Sequence, residues 1–425
     1  MTKERINDIK YNVLDYALRG ISLYKGKLER CKMTENITKD VSLPVGPLKI
    51  AALESCIEFA TEVDKHIVEL RRDRSVGGDS SIEFKGYKCD SYLLKCKCPR
   101  FGSGEAKGMI LESVRGDDVF VMSDVGNYSL TYPMCGYENH MSPDDHFQDM
   151  KRIIATSMNF AKRVNVVMPF MYEGRQHKRT KRESLDCALA LQELTNMGVS
   201  NIITFDAHDP RVANAIPLKG FDNYMPPYQF IRAVLRVDKS LKIDNEHMMI
   251  ISPDEGGMNR AVYFSNVLGV DMGMFYKRRD YSTIVNGKNP IVAHEFLGTS
   301  VEGKDVIIVD DMISSGESML DVSKKLKDRK ANKVFICATF GLFTDGLAKF
   351  DEYYEKGYFD YVITTNLTYR NFELRNRCYY LEADMSKFMA LIIDTINHDY
   401  TTEQVMSPTE RIKAIVSKYY NNEAI

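Results

Sequence analysis

Four consecutive apolar residues, Val306-Ile307-Ile308-Val309, run straight into Asp310-Asp311 and then into Ser314-Ser315-Gly316-Glu317-Ser318. An unbroken apolar run of this length predicts a strand covered on both faces, as in a parallel α/β sheet. The small-residue turn after it predicts the start of a helix that carries Met319, Leu320 and Leu326 inward. In open α/β sheets ligands gather at the carboxyl ends of the strands, so a site is expected where the strand delivers its two carboxylates into that loop. Backbone N–H groups around Ser314, Ser315, Gly316 and Ser318, the flanking hydroxyls and the helix dipole can hold a terminal phosphate. Asp310 and Asp311 can accept hydrogen bonds from vicinal hydroxyls. Phosphate at one end and diol at the other describe a pentose phosphate. The plainer alternative on this segment alone is a strand end followed by a serine N-cap.

Outside this segment, short apolar runs at 164–168, 202–205, 248–251, 272–276, 334–339 and 361–364 alternate with helical patterns such as 183–197. Such alternation predicts an α/β fold with parallel sheets. At 425 residues there is room for two or three domains, taking roughly 150 residues each. Residues 1–46 form an N-terminal extension in which Ile6, Ile9, Val13, Leu14, Ala17, Leu18 and Ile21 fall at helical spacing before Pro44-Val45-Gly46-Pro47 interrupts. Residues 71–87, with Gly77-Gly78-Asp79-Ser80-Ser81, read as an exposed turn.

The charge balance, 57 basic against 59 acidic side chains, gives no global attraction to nucleic acid or to an anionic membrane. Anion binding must come from local clusters. No run approaches the roughly 18 apolar residues of a membrane span, and the first residues lack an apolar secretory core, so a cytoplasmic protein is expected. Nine cysteines at irregular spacing predict reduced thiols rather than a disulfide framework. Cys89, Cys96 and Cys98 do not repeat a paired zinc spacing. Two other segments imitate nucleotide motifs and fail in detail. Gly102, Gly104 and Gly108 are wrongly spaced for a dinucleotide fingerprint, and residues 298–304 precede Asp305 where a P-loop needs Ser or Thr.

Two residue groups suggest phosphoryl chemistry. Lys277 and Arg279 end an apolar strand, and alternation places them on one side with Arg278 opposite, a natural clamp for a diphosphate. His208 follows a strand with Asp206 and Asp209 beside it, where it can meet Mg²⁺ or a triphosphate.

These segments resemble, in the same order, the motifs of the ribose-phosphate diphosphokinase (phosphoribosyl pyrophosphate synthetase) family, and the chain looks like a long bacterial-type member. The resemblance begins at the 310–318 motif, which simple phosphoribosyltransferases share. It extends to Ser252-Pro253-Asp254-Glu255-Gly256-Gly257 with Arg260, Lys277-Arg278-Arg279, Pro169-Phe170 with Gly174-Arg175-Gln176, and Asp206-Ala207-His208. Arg100-Phe101 with Gly104-Glu105, and Val114-Arg115-Gly116, complete the set, which covers most of the chain from about Leu48 to Leu391.

The resemblance implies two similar phosphoribosyltransferase-like α/β domains with the active site between them. They are expected at 47–225, on the ATP side and completed by 380–405, and at 226–379, on the ribose-phosphate side, with 406–425 as a tail. It implies transfer of the β,γ-diphosphoryl group of ATP to ribose 5-phosphate with Mg²⁺, in a homo-oligomer built on dimers, such as a hexamer. Lys277 and Arg279 would be catalytic; Phe101, Ser103, Glu105, Arg175, Gln176 and His208 would bind ATP; Asp310, Asp311, Ser314, Ser315, Gly316 and Ser318 would bind the ribose phosphate. His208 and Asp254 would take the metal. Residues 280–299 read as a mobile loop able to close over ATP and exclude water.

The chain departs from the family pattern in three places. Glu317 stands for a glycine in the phosphate loop, His177 for a common Asp, and residues 127–145 are longer than the family's connection. Those departures keep alternatives in view: the same chemistry on a larger acceptor such as ADP-ribose, a non-catalytic regulatory subunit, or a phosphoribosyltransferase.

Overall fold

The computed structural model describes residues 43–76, 84–279 and 291–424. Most of the N-terminal extension and the 280–290 segment therefore lie outside the described residues. The chain first lays down strand β1 (Leu48–Ala52) and the long helix Ile57–Val76. A small ribbon follows, β2 (Cys96–Lys97) with β3 (Met109–Ile110), then strand β4 (Asp118–Met122), a hairpin of β5 (Thr131–Met134) and β6 (Tyr137–His140), and strands β7 (Arg163–Val167), β8 (Asn201–Phe205) and β9 (Gly220–Tyr224). The order β1-β4-β7-β8-β9 makes an all-parallel five-stranded sheet. Along β4, Phe120 and Met122 enter one apolar core while Val119 and Val121 enter the other, so the sheet is covered on both faces.

The second half contains β10 (Met248–Ser252), β11 (Asp271–Arg279), β12 (Ile291–Leu297), β13 (Asp305–Ile313), β14 (Val334–Gly341), β15 (Tyr361–Thr365) and β16 (Tyr380–Ala383). They join in the order β12-β11-β10-β13-β14-β15-β16, parallel except for β12 against β11. In β13, Val306 and Ile308 face one core and Ile307 and Val309 the other. The expected doubly covered strand is present, in a fold of two parallel-sheet α/β halves.

Two C-terminal helices tie the halves together. Helix Ser386–Asn397 packs on Ile57–Val76, placing Phe388, Met389 and Ile393 in the first-half core. Helix Thr409–Tyr420 docks instead on the second half through Ile412 and Tyr419. At the chain's entry, Val45 N donates to Asn397 O at 2.7 Å.

Several expectations need correcting. Residues 71–76 complete a helix instead of opening an exposed turn. Arg71 is buried, with Nε 2.8 Å from Asp394 Oδ1 and its guanidinium over the Tyr87 and Tyr92 rings. Residues 77–83 lie outside the described ones. Residues 291–297 are a strand rather than the end of a loop, because antiparallel pairing with β11 satisfies their backbone groups. The long 127–145 connection holds the β5–β6 hairpin, turned at Cys135-Gly136 with both residues at positive φ.

Candidate active site

The two halves meet at the carboxyl ends of β8 and β13. Strand β13 continues through Asp310 and Asp311, since β14 pairs with it as far as Gly341, so the two carboxylates sit on the strand and the loop begins only at Ser314. From the first half, the turn after β8 sends Asp206 and His208 across. His208 Nδ1 lies 2.6 Å from Asp311 Oδ2. Arg260, on the helix after β10, donates from Nε to Asp206 Oδ1 at 2.7 Å and from Nη1 to Asp310 Oδ1 at 3.3 Å. Thr339 Oγ1 donates to the other Asp206 oxygen at 2.5 Å.

The electrostatics follow from this packing. Burial, reinforced by the Asp311 charge, pushes Asp310 well above the usual carboxylate range. Burial also works against ionisation of Asp311, yet the His208 hydrogen bond and the Arg260 charge hold it below that range. His208 is raised, chiefly by its bond to Asp311 and against its partial burial. Burial raises Asp206 even beside Arg260. For Arg260 burial opposes the charge, but the surrounding Asp206, Asp311 and Asp310 carboxylates more than offset it. His208 and Asp311 thus each favour the other's charged form, while burial favours the protonated form of the neighbouring Asp310.

The 314–318 turn leads from β13 into a helix. Gly316, at φ +83°, is the N-cap of helix Glu317–Asp328 without a side-chain cap, and Glu317 N donates to Ser315 Oγ at 3.4 Å. Met319, Leu320 and Leu326 point inward as the periodicity predicts. The Glu317 carboxylate is exposed and lies 2.6 Å from Lys349 Nζ, so a counter-cation meets its charge outside the loop.

Around this centre the other expected residues are spread unevenly. Arg175 shares a small cleft with Asp206, His208 and Met312, and its charge bears on His208. Gln176 spends its amide on its own loop, donating to Ser184 O at 2.9 Å. His177 tucks its ring 5.4 Å from that of His208, with Nε2 3.5 Å from Asp209. Asp254 caps the turn after β10, accepting from Gly256 N at 2.9 Å; in that turn a Cβ on Gly257 would come 2.8 Å from Ser252 Oγ and 3.4 Å from Val309 O, so the turn packs directly against β13.

Phe101, Ser103 and Glu105 occupy a separate exposed loop. Ser103 Oγ donates to Glu105 at 2.8 Å, and Cys135 N of the hairpin donates to Gly102 O at 2.9 Å. Among the described residues, no hydrogen bond or ring contact joins that loop to Arg175, His208 or Asp311. Lys277 and Arg279 lie at the end of β11, where the pairing with β12 shifts register between Arg278 and Arg279, the extra residue falling in β12. Their side chains lie outside the described residues.

Sequence reasoning gave no part to Thr339 and none to Asp206 beyond its motif. Asp206 is left-handed at φ +39°, a conformation that Asp adopts more readily than most residues but that its sequence context does not single out.

A family model described as the N-terminal domain of ribose phosphate pyrophosphokinase matches residues 48–198, and a phosphoribosyl transferase domain model matches 231–373. The ribose-phosphate pyrophosphokinase of Pasteurella multocida is 30% identical over 253 residues, covering 59% of this chain and 72% of that protein. The one from Thermosipho africanus is 30% identical over 259 residues, 60% of this chain and 73% of that protein. Among solved structures, the phosphoribosylpyrophosphate synthetase of Mycobacterium smegmatis superposes with a TM-score of 0.63 at 20% identity, over 83% of this chain and 99% of that one.

Proposed function

The chain belongs to the ribose-phosphate pyrophosphokinase family, and from that membership we propose how its residues divide the work. The reaction moves the β,γ-diphosphoryl group of ATP onto the anomeric hydroxyl of ribose 5-phosphate, giving phosphoribosyl diphosphate and AMP. Alignment and charge neutralisation are nearly all a protein can add to such a transfer.

The observation that carries the reading is the 2.6 Å contact between His208 and Asp311, where the first half's ATP-side loop touches the second half's sugar-phosphate strand. Amides at the 314–318 turn take the 5-phosphate, and Asp310 with Asp311 takes the ribose hydroxyls. Arg175 and His208 hold the triphosphate, and Lys277 and Arg279 meet the charge that builds on the diphosphate in transit. Gln176 and the loop of Phe101, Ser103 and Glu105 complete the nucleotide contacts.

Among the described residues no three His, Cys, Asp or Glu side chains converge on one point. Mg²⁺ does not need such a cage, since it keeps several waters and takes oxygen ligands from phosphates. Asp254, and His208 through Nε2 when its imidazole is neutral, would supply the few protein ligands it uses, and the ion's role when bound is to neutralise the triphosphate. We assign the domains to 47–225 with 380–405, and to 226–379. No helix among the described residues is long and apolar enough to cross a membrane, and we place the enzyme in the cytoplasm as a dimer-based homo-oligomer.

Incubation of the pure protein with Mg-ATP and either ribose 5-phosphate or ADP-ribose tests the reading. AMP should form in step with ribose 5-phosphate consumed. ADP as the stoichiometric product, or AMP formation only with ADP-ribose, would overturn it.

A further inference from the structure

The β5–β6 hairpin belongs to the 127–145 segment, which is longer than the family's connection, and no step of the proposed reaction uses a residue of it. Its base is fixed in the first half. Asn127 is buried, its Nδ2 donates to Ser55 O at 2.8 Å, and its carbonyl lies 2.7 Å from His146 Nε2. Along β5 the side chains alternate: Tyr132 and Met134 are half-buried, while Thr131 and Pro133 are exposed. One face of the strand is therefore covered.

The loop of Phe101, Ser103 and Glu105 covers it. Cys135 N, at the hairpin turn, donates to Gly102 O at 2.9 Å. Gly104, at φ +92°, approaches so closely that a Cβ on it would lie 2.6 Å from Met134 Sδ and 3.7 Å from Tyr132 Cε2. At the root of the loop the Arg100 guanidinium sits 4.7 Å from the Tyr132 ring centroid and donates to Asp149 Oδ2 at 2.9 Å. Within the loop, Phe101 N donates to Glu105 O at 2.7 Å and Gly104 N to Phe101 O at 2.9 Å. Those bonds fix the loop's own shape; the hairpin contacts fix where its tip stands. A binding loop that must be ordered at each encounter loses affinity, so a scaffold that orders it beforehand strengthens binding.

Resting on the assignment of Phe101, Ser103 and Glu105 to the nucleotide, we propose that the β5–β6 hairpin is the positioning element for the base of ATP, with Tyr132 and Met134 as its positioning residues. They hold the exposed Phe101 ring ready to stack on the purine and the Glu105 carboxylate ready to accept from the exocyclic amine. A loop fixed in this way selects adenine, whose 6-amino group donates, over guanine, whose 6-oxygen cannot.

The test is steady-state kinetics of the full chain, with ATP and ribose 5-phosphate varied in turn. In Tyr132→Ala, and in Met134→Ala, the KM for ATP should rise at least about five-fold while kcat and the KM for ribose 5-phosphate stay within about two-fold, and the preference for ATP over GTP should fall. Tyr132→Phe keeps the ring beside Arg100 and loses only a 3.4 Å bond to Asp145, so it should return the KM for ATP to the parent value. Losses shared equally by kcat and both KM values, or a Tyr132→Phe variant as impaired as Tyr132→Ala, would overturn the proposal. If Tyr132→Ala does not fold, Met134→Ala carries the test. Phe101→Ala, run beside them, separates the two levels of the argument. A raised KM for ATP in Phe101→Ala with none in the hairpin variants removes the hairpin's role and leaves the loop's; no rise in either removes both; a rise in the hairpin variants alone refutes the route through the loop.

Discussion

Arg260 Nε lies 2.7 Å from Asp206 Oδ1, and through this contact a guanidinium of the second half is locked to a carboxylate of the first. The same guanidinium reaches Asp310, and Asp206 in turn receives Thr339. One buried cation therefore fixes both the approach of the halves and the position of the sugar-side acid pair.

Removing that cation should be costly, because Asp206 and Asp310 would be left buried without compensation. Arg260→Leu is expected to lose about 3–5 kcal/mol of stability, the usual cost of deleting one partner of a buried ion pair. Adding Asp206→Asn should recover part of the loss, since the unpaired charge goes with it. Denaturant unfolding of both single variants and the double variant measures this. Strict additivity would show that the pair is not coupled.

The His208–Asp311 contact predicts a pH signature. His208 is raised above its unfolded value, so its contribution is fully present below about pH 6.5 and fades as pH climbs through the folded-state pKa. Asp311 is lowered, so its contribution is present above its ordinary carboxylate value and fades only as pH falls through the folded-state pKa. The stability cost of His208→Asn should therefore be larger near pH 6 than near pH 9. In NMR titration His208 should protonate above its ordinary value in the parent and move back down in Asp311→Asn. A cost independent of pH would contradict the pair.

How much of this was readable from sequence depends on the kind of signal. The β13 strand, its inward helix and the glycine turn were legible because apolar runs, periodicity and small residues act locally. The strand ends at Ile313 and not at the close of the apolar run, because the end of β13 is set by how far β14 pairs beside it, which is non-local. Arg71 was misplaced for a similar reason: next to Gly77-Gly78 it looked exposed, whereas its partner Asp394 lies far along the chain. The Arg260–Asp206–Thr339 linkage joins three distant segments around a left-handed Asp206, and no spacing in the sequence announces it.

At the phosphate loop, Gly316 is held at φ +83°, and an added Cβ would come within 2.3 Å of Phe350 Cζ. A left-handed alanine costs about 1–2 kcal/mol before any clash. Gly316→Ala should raise the KM for ribose 5-phosphate at least about ten-fold with little change in ATP affinity, because only the sugar-phosphate cradle is distorted. Steady-state kinetics with each substrate varied decides it; equal losses for both substrates would contradict the assignment.

The last expectation concerns Lys277 and Arg279. Both stand at the end of β11, which pairs with β10, the neighbour of the acid-bearing strand β13. A donor preorganised for developing charge is worth about 3–4 kcal/mol, so Lys277→Ala and Arg279→Ala should each slow single-turnover transfer by two to three orders of magnitude. Calorimetric binding of ATP and ribose 5-phosphate should change far less, since the 314–318 turn and Arg175 remain. Arg278→Ala is the informative comparison. If the clamp is Lys277 with Arg279, its rate stays near the parent. If Arg278 is the partner of Lys277 instead, the large loss moves from Arg279 to Arg278 while Lys277 keeps its effect. A collapse of binding in step with rate in every variant would mean that these cations hold the ground state and not the transition state.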